Sequence, residues 1–259
     1  MDRPKADSVL VFSGLDPSGA AGIAADIETI NQFGLTPLPI ITLLTAQNTQ
    51  RVDTLEVVND SLLEKQFNLI DEDISFNTVK IGLLGSVSQI KTISRLIGEK
   101  NTLSVVVDPI LISGTQENMS SIKMVGVMKK YLFPKCTILT PNLEELNLLS
   151  PGLSEKEAVS SLNCPWVLVT TSDSSKIDIE HRLYNKSSLI RRFNYKKLPD
   201  KFHGSGCTLS SAISALLAKG IAIEEACDQG LAYTYQCLLN AKKLGKMQYH
   251  PIRTPYKSK

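Results

Sequence analysis

The chain has 259 residues, 42% hydrophobic and 21% charged, which is enough apolar material for a sizeable core and far from the composition of a disordered segment. Its 28 Lys and Arg against 26 Asp and Glu leave a formal charge of +2, too small and too dispersed to argue for a nucleic-acid or membrane surface, so no nucleic acid and no membrane are expected as partners. Five cysteines without a C-x-x-C pair argue against a disulfide framework or a zinc knuckle, and no uncharged apolar run approaches the ~18 residues of a membrane span. A reducing, cytoplasmic setting is expected.

In chain order, "SVLVFSG" reads as a strand, Ile23, Ile27, Ile30 and Phe33 as one face of a helix closed by Gly34, and "LPIITLLT" as a second strand. The alternation continues through "TVKIGLL", a helix carrying Ile90, Ile93 and Ile97, "LSVVVDPIL", a helix carrying Val125, Met128 and Leu132, and "CTILTPN". Near-continuous apolar strands predict helices on both sheet faces, hence a three-layer α/β/α fold with a mainly parallel sheet. Ser154 and Glu157 form a capping box before the strand "WVLVTT". "HRLYN" and "SLIRRFNY", separated by Lys186 and Ser187, predict an antiparallel hairpin at a sheet edge. A last helix is expected from Glu224 to Leu244, followed by a loose polar tail. No linker, repeat or low-complexity segment interrupts the pattern, so residues 1–259 are expected to form one domain.

Ligands of open α/β sheets bind beyond the carboxyl ends of the strands. There the sequence places Asp16 and Asp26 around Gly14, Gly19 and Gly22, then Thr45, Gln47 and Asn48, then Asp108, and then Thr140, Asn142, Glu144 and Glu145. Any one of these suits a turn or helix cap; together they suggest a polar cleft. "GLDPSGAA" lacks the Lys and Ser/Thr of a P-loop, and "GSGCTL" has Leu209 where a dinucleotide fingerprint needs glycine. What "HGSGCT" offers is a run of backbone N–H groups at a helix start, an anion hole. Cys207 at that terminus is expected to have a lowered pKa and to serve as a base; a small buried apolar residue is the other reading. Cys136 and Cys164 are expected to be buried, Trp166 to pack in the core, His203 to orient the loop before the anion hole, and His181 and His250 to lie on the surface.

"SGLDPSGAAGIAADIE", "ITLLTAQNT", "KIGLLG", "VVDPIL", "LFPKCTILTPNLEEL" and "HGSGCTLSSAI" resemble, in register from about residue 8 to residue 220, the hydroxymethylpyrimidine/phosphomethylpyrimidine kinases of thiamine biosynthesis, within the ribokinase-like superfamily. The resemblance implies a ribokinase-like fold and two successive phosphoryl transfers that use ATP and Mg2+. The first acts on 4-amino-5-hydroxymethyl-2-methylpyrimidine and the second on its monophosphate. It further implies that Gln47 binds the aminopyrimidine edge, with Asp26, Gly14 and Thr45 completing the pocket. Asp108 and Glu145 would organise magnesium beside the nucleotide, Asn142 would lie near its phosphates, and Thr170 would stand where the better-known branch has a lysine. Gly204, Ser205 and Gly206 would stabilise the transferring phosphoryl group, with Cys207 as the base. A homodimer is implied as well. Two other readings stay open: a pyridoxal/pyridoxine kinase, because that substrate is also a flat heteroaromatic with a hydroxymethyl arm, and a catalytically inactive pyrimidine-binding protein.

Overall fold

The computed structural model describes residues 7–100, 102–110, 118–171 and 177–254. The first strand, β1 (Ser8–Leu15), lies third from one edge of the nine-stranded sheet formed by the described residues and is buried on both faces. Its odd and even residues part company: Val9 and Val11 face one core, Leu10 and Phe12 the other. This is the period-2 geometry of a strand covered by helices on both sides. α1 (Gly22–Gln32), β2 (Thr36–Gln47), β3 (Val52–Val57), α2 (Asp60–Asp73), β4 (Thr78–Ile81), α3 (Val87–Gly98) and β5 (Ser104–Val107) follow. After them come α4 (Asn118–Val127), prolonged by one wide and one tight turn to Lys135, and then β6 (Ile138–Leu139), α5 (Leu143–Leu149), α6 (Glu155–Ser161) and β7 (Trp166–Val169). The chain ends with β8 (Asp178–Asn185), β9 (Ser188–Lys196), α7 (Ser205–Ala218) and α8 (Ile223–Leu239).

The sheet order is β3-β2-β1-β4-β5-β6-β7-β8-β9. β2, β1, β4, β5, β6 and β7 run parallel, while β3, β8 and β9 pair antiparallel at the two edges. One face is covered by α2, α3, α4, α5 and α6 through residues such as Leu63, Ile90, Ile93 and Leu162. The other is covered by α1, α7 and α8 through Ile30, Ile213 and Leu216. Each fully buried Ile, Leu or Phe contributes ~1.5–3 kcal/mol of transfer free energy, so the two cores drive the layering. The three-layer architecture is the expected one.

The predicted hairpin is present, with β8 and β9 joined by Lys186 and Ser187 at φ 45° and 67°, the double left-handed turn that matches strand twist. The Ser154/Glu157 capping box opens α6. β3 and α2 went unrecognised in the sequence. β3 is exposed on nearly every residue, so it carries no alternating pattern to read.

Two expectations are corrected at the carboxyl end. α8 stops at Leu239, five residues short of the expected Leu244, because the chain turns back and Lys242 pairs with His250 in an antiparallel bridge. The segment behind it is no loose tail: the Ile252 N–H donates to the Cys237 carbonyl at 3.1 Å, and Arg253 is buried.

Candidate active site

Between β1 and α1 the chain reverses around Asp16. One carboxylate oxygen accepts the Ser18 N–H (2.8 Å), and the other accepts the Ser18 hydroxyl (2.9 Å) and the Ala21 N–H (3.0 Å). His203 Nε2 lies 3.0 Å from that same second oxygen. Burial works against ionisation, yet His203 and the Ser18 donors hold the Asp16 carboxyl down at about 2. The same His203 Nε2 lies 3.3 Å from the side-chain amide nitrogen of Gln47, at the end of β2. His203 therefore ties the first loop to the second strand, one residue before the anion hole, a longer reach than the local role expected of it. Thr45 bonds the Leu15 carbonyl at 2.9 Å, and Gln47 lines a cleft of about 280 Å3 with Pro17, Ala46 and Asn48.

Gly204 caps α7 in the left-handed region (φ 84°), and Ser205, Gly206 and Cys207 form the first turn, whose N–H groups have no carbonyl within the helix to bind. These are the donors of the predicted anion hole. A Cβ on Gly206 would lie 3.2 Å from Asp108 Oδ2, so the carboxylate closing β5 sits against this turn. Asp108 is buried, and Oδ2 has no hydrogen-bond partner among the described residues. Burial pushes its carboxyl up to about 6, with the Lys80 ammonium pulling the other way and Asp26 adding to the rise.

Beneath α7 is a pair that the sequence reading missed. Lys80 Nζ contacts both oxygens of Asp26, at 2.8 and 2.9 Å, and neither side chain is exposed at all. The Ser211 hydroxyl donates to Asp26 Oδ1 at 2.7 Å. The pair ties β4, α1 and α7 together. Burial alone would lower the lysine's pKa; Asp26 first, then Cys207 and Asp108, more than offset it and hold it above its usual range. Asp26, expected in the wall of the pyrimidine pocket, has both oxygens engaged by Lys80 and one of them also by Ser211. The signal was available: Lys80 is a lone charge inside the apolar strand "TVKIGLL", and a lysine buried on a strand needs a partner.

The pKa expected of Cys207 is corrected. Its thiol is pushed up to about 12, not down, because it is buried between Ala21, Ala25 and Ile110, with Asp26 and Asp108 adding to the rise and Lys80 opposing it. The partial charge of the helix terminus does not overcome that desolvation.

Asn142 and Glu145 form a reciprocal capping box at α5: Asn142 Oδ1 accepts the Glu145 N–H (2.8 Å) and Glu145 Oε2 accepts the Asn142 N–H (2.9 Å). Burial, then the Asp108 carboxylate, raises the Glu145 carboxyl to about 8, against the pull of that N–H. Thr170 follows β7 beside them, its N–H donating to the Pro141 carbonyl at 2.9 Å.

The carboxyl-terminal segment closes over the first loop. Arg253 donates to the Ala20 carbonyl (2.6 Å), Thr208 (3.1 Å) and Glu28 (2.8 Å), clamping the Asp16 loop to the start of α7. His250, expected on the surface, is buried with Nε2 3.2 Å from the Ser18 carbonyl. His181 is likewise drawn inward: it faces the Thr171 N–H at 3.2 Å, and burial lowers its pKa to about 4. Cys136 and Cys164 are buried as expected, and Trp166 packs against the α7/α8 core.

A mainly parallel sheet, whose strand ends meet a glycine-capped helix start flanked by buried carboxylates, defines a ribokinase-like protein. The family model described as phosphomethylpyrimidine kinase matches residues 16–253, and the chain belongs to that family. It is 31% identical over 92% of its length to the thiamine biosynthesis bifunctional protein ThiED of Geobacter sulfurreducens, of which it covers 50%. It is 31% identical, again over 92% of its length, to the hydroxymethylpyrimidine/phosphomethylpyrimidine kinase of Mycobacterium tuberculosis H37Rv, of which it covers 90%. The chain thus spans about half the length of several curated relatives that it matches. Among solved structures, an ADP complex of Bacillus subtilis pyridoxal kinase superposes with a TM-score of 0.87 at 24% identity, covering 96% of this chain and 98% of that one. Among the described residues, no helix is long and apolar enough to cross a membrane.

Proposed function

We propose that the protein transfers the γ-phosphoryl group of ATP first to 4-amino-5-hydroxymethyl-2-methylpyrimidine and then to the resulting monophosphate. The observation that carries this reading is Asp108, a buried carboxylate whose Oδ2 has no hydrogen-bond partner among the described residues and lies against the first turn of α7. A pure binding site would have no need to hold such an acid beside an anion hole. A magnesium ion arriving with ATP takes one or two carboxylates together with phosphate and water oxygens, and Asp108 with Glu145 fits that donor set. Bound magnesium would neutralise charge on the nucleotide phosphates.

The chain's own residues do the rest. Ser205, Gly206 and Cys207 present backbone N–H groups to the transferring group, an electrostatic contribution worth about 2.7–4 kcal/mol per well-placed donor. Gln47 holds the aminopyrimidine edge, with Thr45 and the Gly14 backbone behind it. Cys207 accepts the hydroxyl proton as its thiolate, the form that the neighbouring Lys80 ammonium favours. Asn142 and Thr170 shape the nucleotide side. The likeness to pyridoxal kinase is one of fold and carries no substrate.

The two transfers make different demands on Cys207. A hydroxymethyl group must lose a proton, so a positioned base is worth roughly two to four orders of magnitude; a phosphate monoester, with a second pKa of ~6, is already largely anionic. Cys207→Ala is expected to lower kcat for the first transfer by ~100-fold or more and for the second by less than ~10-fold. Equal losses in the two would remove Cys207 from the proton path. The reading as a whole is tested by incubating the protein with the pyrimidine alcohol, ATP and magnesium and following products by mass spectrometry. Monophosphate followed by diphosphate is expected; binding of the alcohol with no turnover would make the chain a binding protein.

A further inference from the structure

We propose that His203 is a positioning residue that turns the Gln47 amide so that its NH2 group faces the substrate, and that the pocket therefore recognises an acceptor nitrogen of the pyrimidine ring. The inference rests on the pyrimidine reading given above, and it assigns the direction of a hydrogen bond that the reading leaves open.

His203 Nε2 meets two groups at once, Asp16 Oδ2 at 3.0 Å and the Gln47 side-chain amide at 3.3 Å. A ring nitrogen brings either one N–H or one lone pair, never both. The Asp16 carboxylate is acceptor-only and already receives Ser18 and Ala21, so a lone pair of His203 facing it at 3.0 Å would be repulsive. Nε2 therefore carries hydrogen and donates to Asp16, a charge-assisted bond of the stronger kind.

That choice propagates. A Gln47 NH2 group against an Nε2–H would place donor on donor. The two ends of a side-chain amide exchange by a half-turn of the terminal torsion with almost no change in the space filled. The oxygen therefore takes the place beside His203 and shares its hydrogen, and the NH2 is left for the cleft that Gln47 lines with Pro17, Ala46 and Asn48. The His203 backbone is fixed as well, its N–H donating to the Tyr249 carbonyl at 3.0 Å. The chain Asp16, His203, Gln47 thus runs from a fixed anion to a fixed donor. An amide free to turn would accept an amine as readily as it donates to a ring nitrogen; one held in this way cannot.

The test is calorimetric, with three ligands: the pyrimidine alcohol and two analogues in which one or the other ring nitrogen is replaced by C–H. For the wild-type protein, one analogue is expected to lose affinity by about tenfold or more, the loss that follows when a desolvated donor is left unmet. Gln47→Glu, which replaces the NH2 by an acceptor, is expected to weaken binding of the parent alcohol by a similar factor and to leave the KM for ATP unchanged. His203→Phe, which frees the amide to turn, is expected to reduce the discrimination between parent and analogue to less than about threefold. Parent binding by Gln47→Glu as tight as or tighter than wild type would show that the oxygen faces the substrate and overturn the proposal. So would wild-type protein that binds both analogues as well as the parent, a result that needs no variant to fold. If the wild-type protein binds none of the three, the pyrimidine reading itself falls, and that outcome is distinct from the others.

Discussion

Lys80→Met is expected to destabilise the fold by about 3–5 kcal/mol, the range found when one partner is removed from a buried ion pair. Methionine fills most of the space of the lysine stem, so the loss is one of charge rather than of packing. Asp26 would be left with a fully buried carboxylate whose only described donor is the Ser211 hydroxyl. In the wild type, the pair's attraction and its desolvation cost are each far larger than their difference, which is why the intact pair says little about net stability and its half-removal says a great deal. The double variant Lys80→Met/Asp26→Asn removes both charges, leaves an amide oxygen for Ser211, and should recover more than half of the lost stability. Activity should not return with it, because Lys80 is also the cation that acts against the burial of Asp108 and Cys207. Urea unfolding of the three proteins, followed by both transfer assays, separates these outcomes. A single variant within ~1 kcal/mol of wild type would mean that the pair is not held as tightly as its geometry implies.

The sheet and most of its helices were legible because they are written in periodicity. Val9 to Phe12 and Val105 to Val107 read as buried strands from apolar content alone, and Ile90, Ile93 and Ile97 mark one helical face. The hairpin turn and the α6 cap were readable for a different reason, since each is a local hydrogen-bonding device contained in a few residues. β3 was not, because an exposed edge strand has no buried face to impose a pattern. The site divides along the same line. Asp108 and Gln47 sit at strand ends and Gly204 to Cys207 at a helix start, places where a short motif announces them. Lys80 with Asp26, and Arg253 with Ala20, join residues 54 and 233 positions apart, and such a partner is invisible until the chain is folded. The burial reading of Cys207 held, while its pKa was misjudged because a helix terminus is a property of sequence, whereas packing between Ala21, Ala25 and Ile110 is a property of the folded site.

Gly204→Ala is expected to lower kcat for both transfers by at least ~100-fold, in contrast to the selective effect of Cys207→Ala. Two independent obstacles meet at this residue. Its φ of 84° lies in the left-handed region, which costs an L-residue roughly 1–2 kcal/mol. The added Cβ would also clash with the Ala20 carbonyl oxygen, a backbone atom that no change of rotamer can move. Ala20 cannot simply retreat, because Arg253 holds the same carbonyl at 2.6 Å and binds Thr208 of α7 at 3.1 Å. The strain must therefore displace the first turn of α7, where the N–H donors of Ser205, Gly206 and Cys207 are aimed. Both transfers use those donors, whatever the nucleophile, so both should fail together while the pyrimidine alcohol still binds within a few-fold of wild type. Gly206→Ala provides the control: that residue has right-handed helical geometry, and the nearest atoms its Cβ would meet are those of the Asp108 carboxylate, at 3.2 Å. It should cost little stability while crowding the acid. Kinetics of both transfers beside binding of the alcohol make the comparison, and a loss below tenfold for Gly204→Ala in either transfer would show that the α7 turn does not set the position of the phosphoryl group.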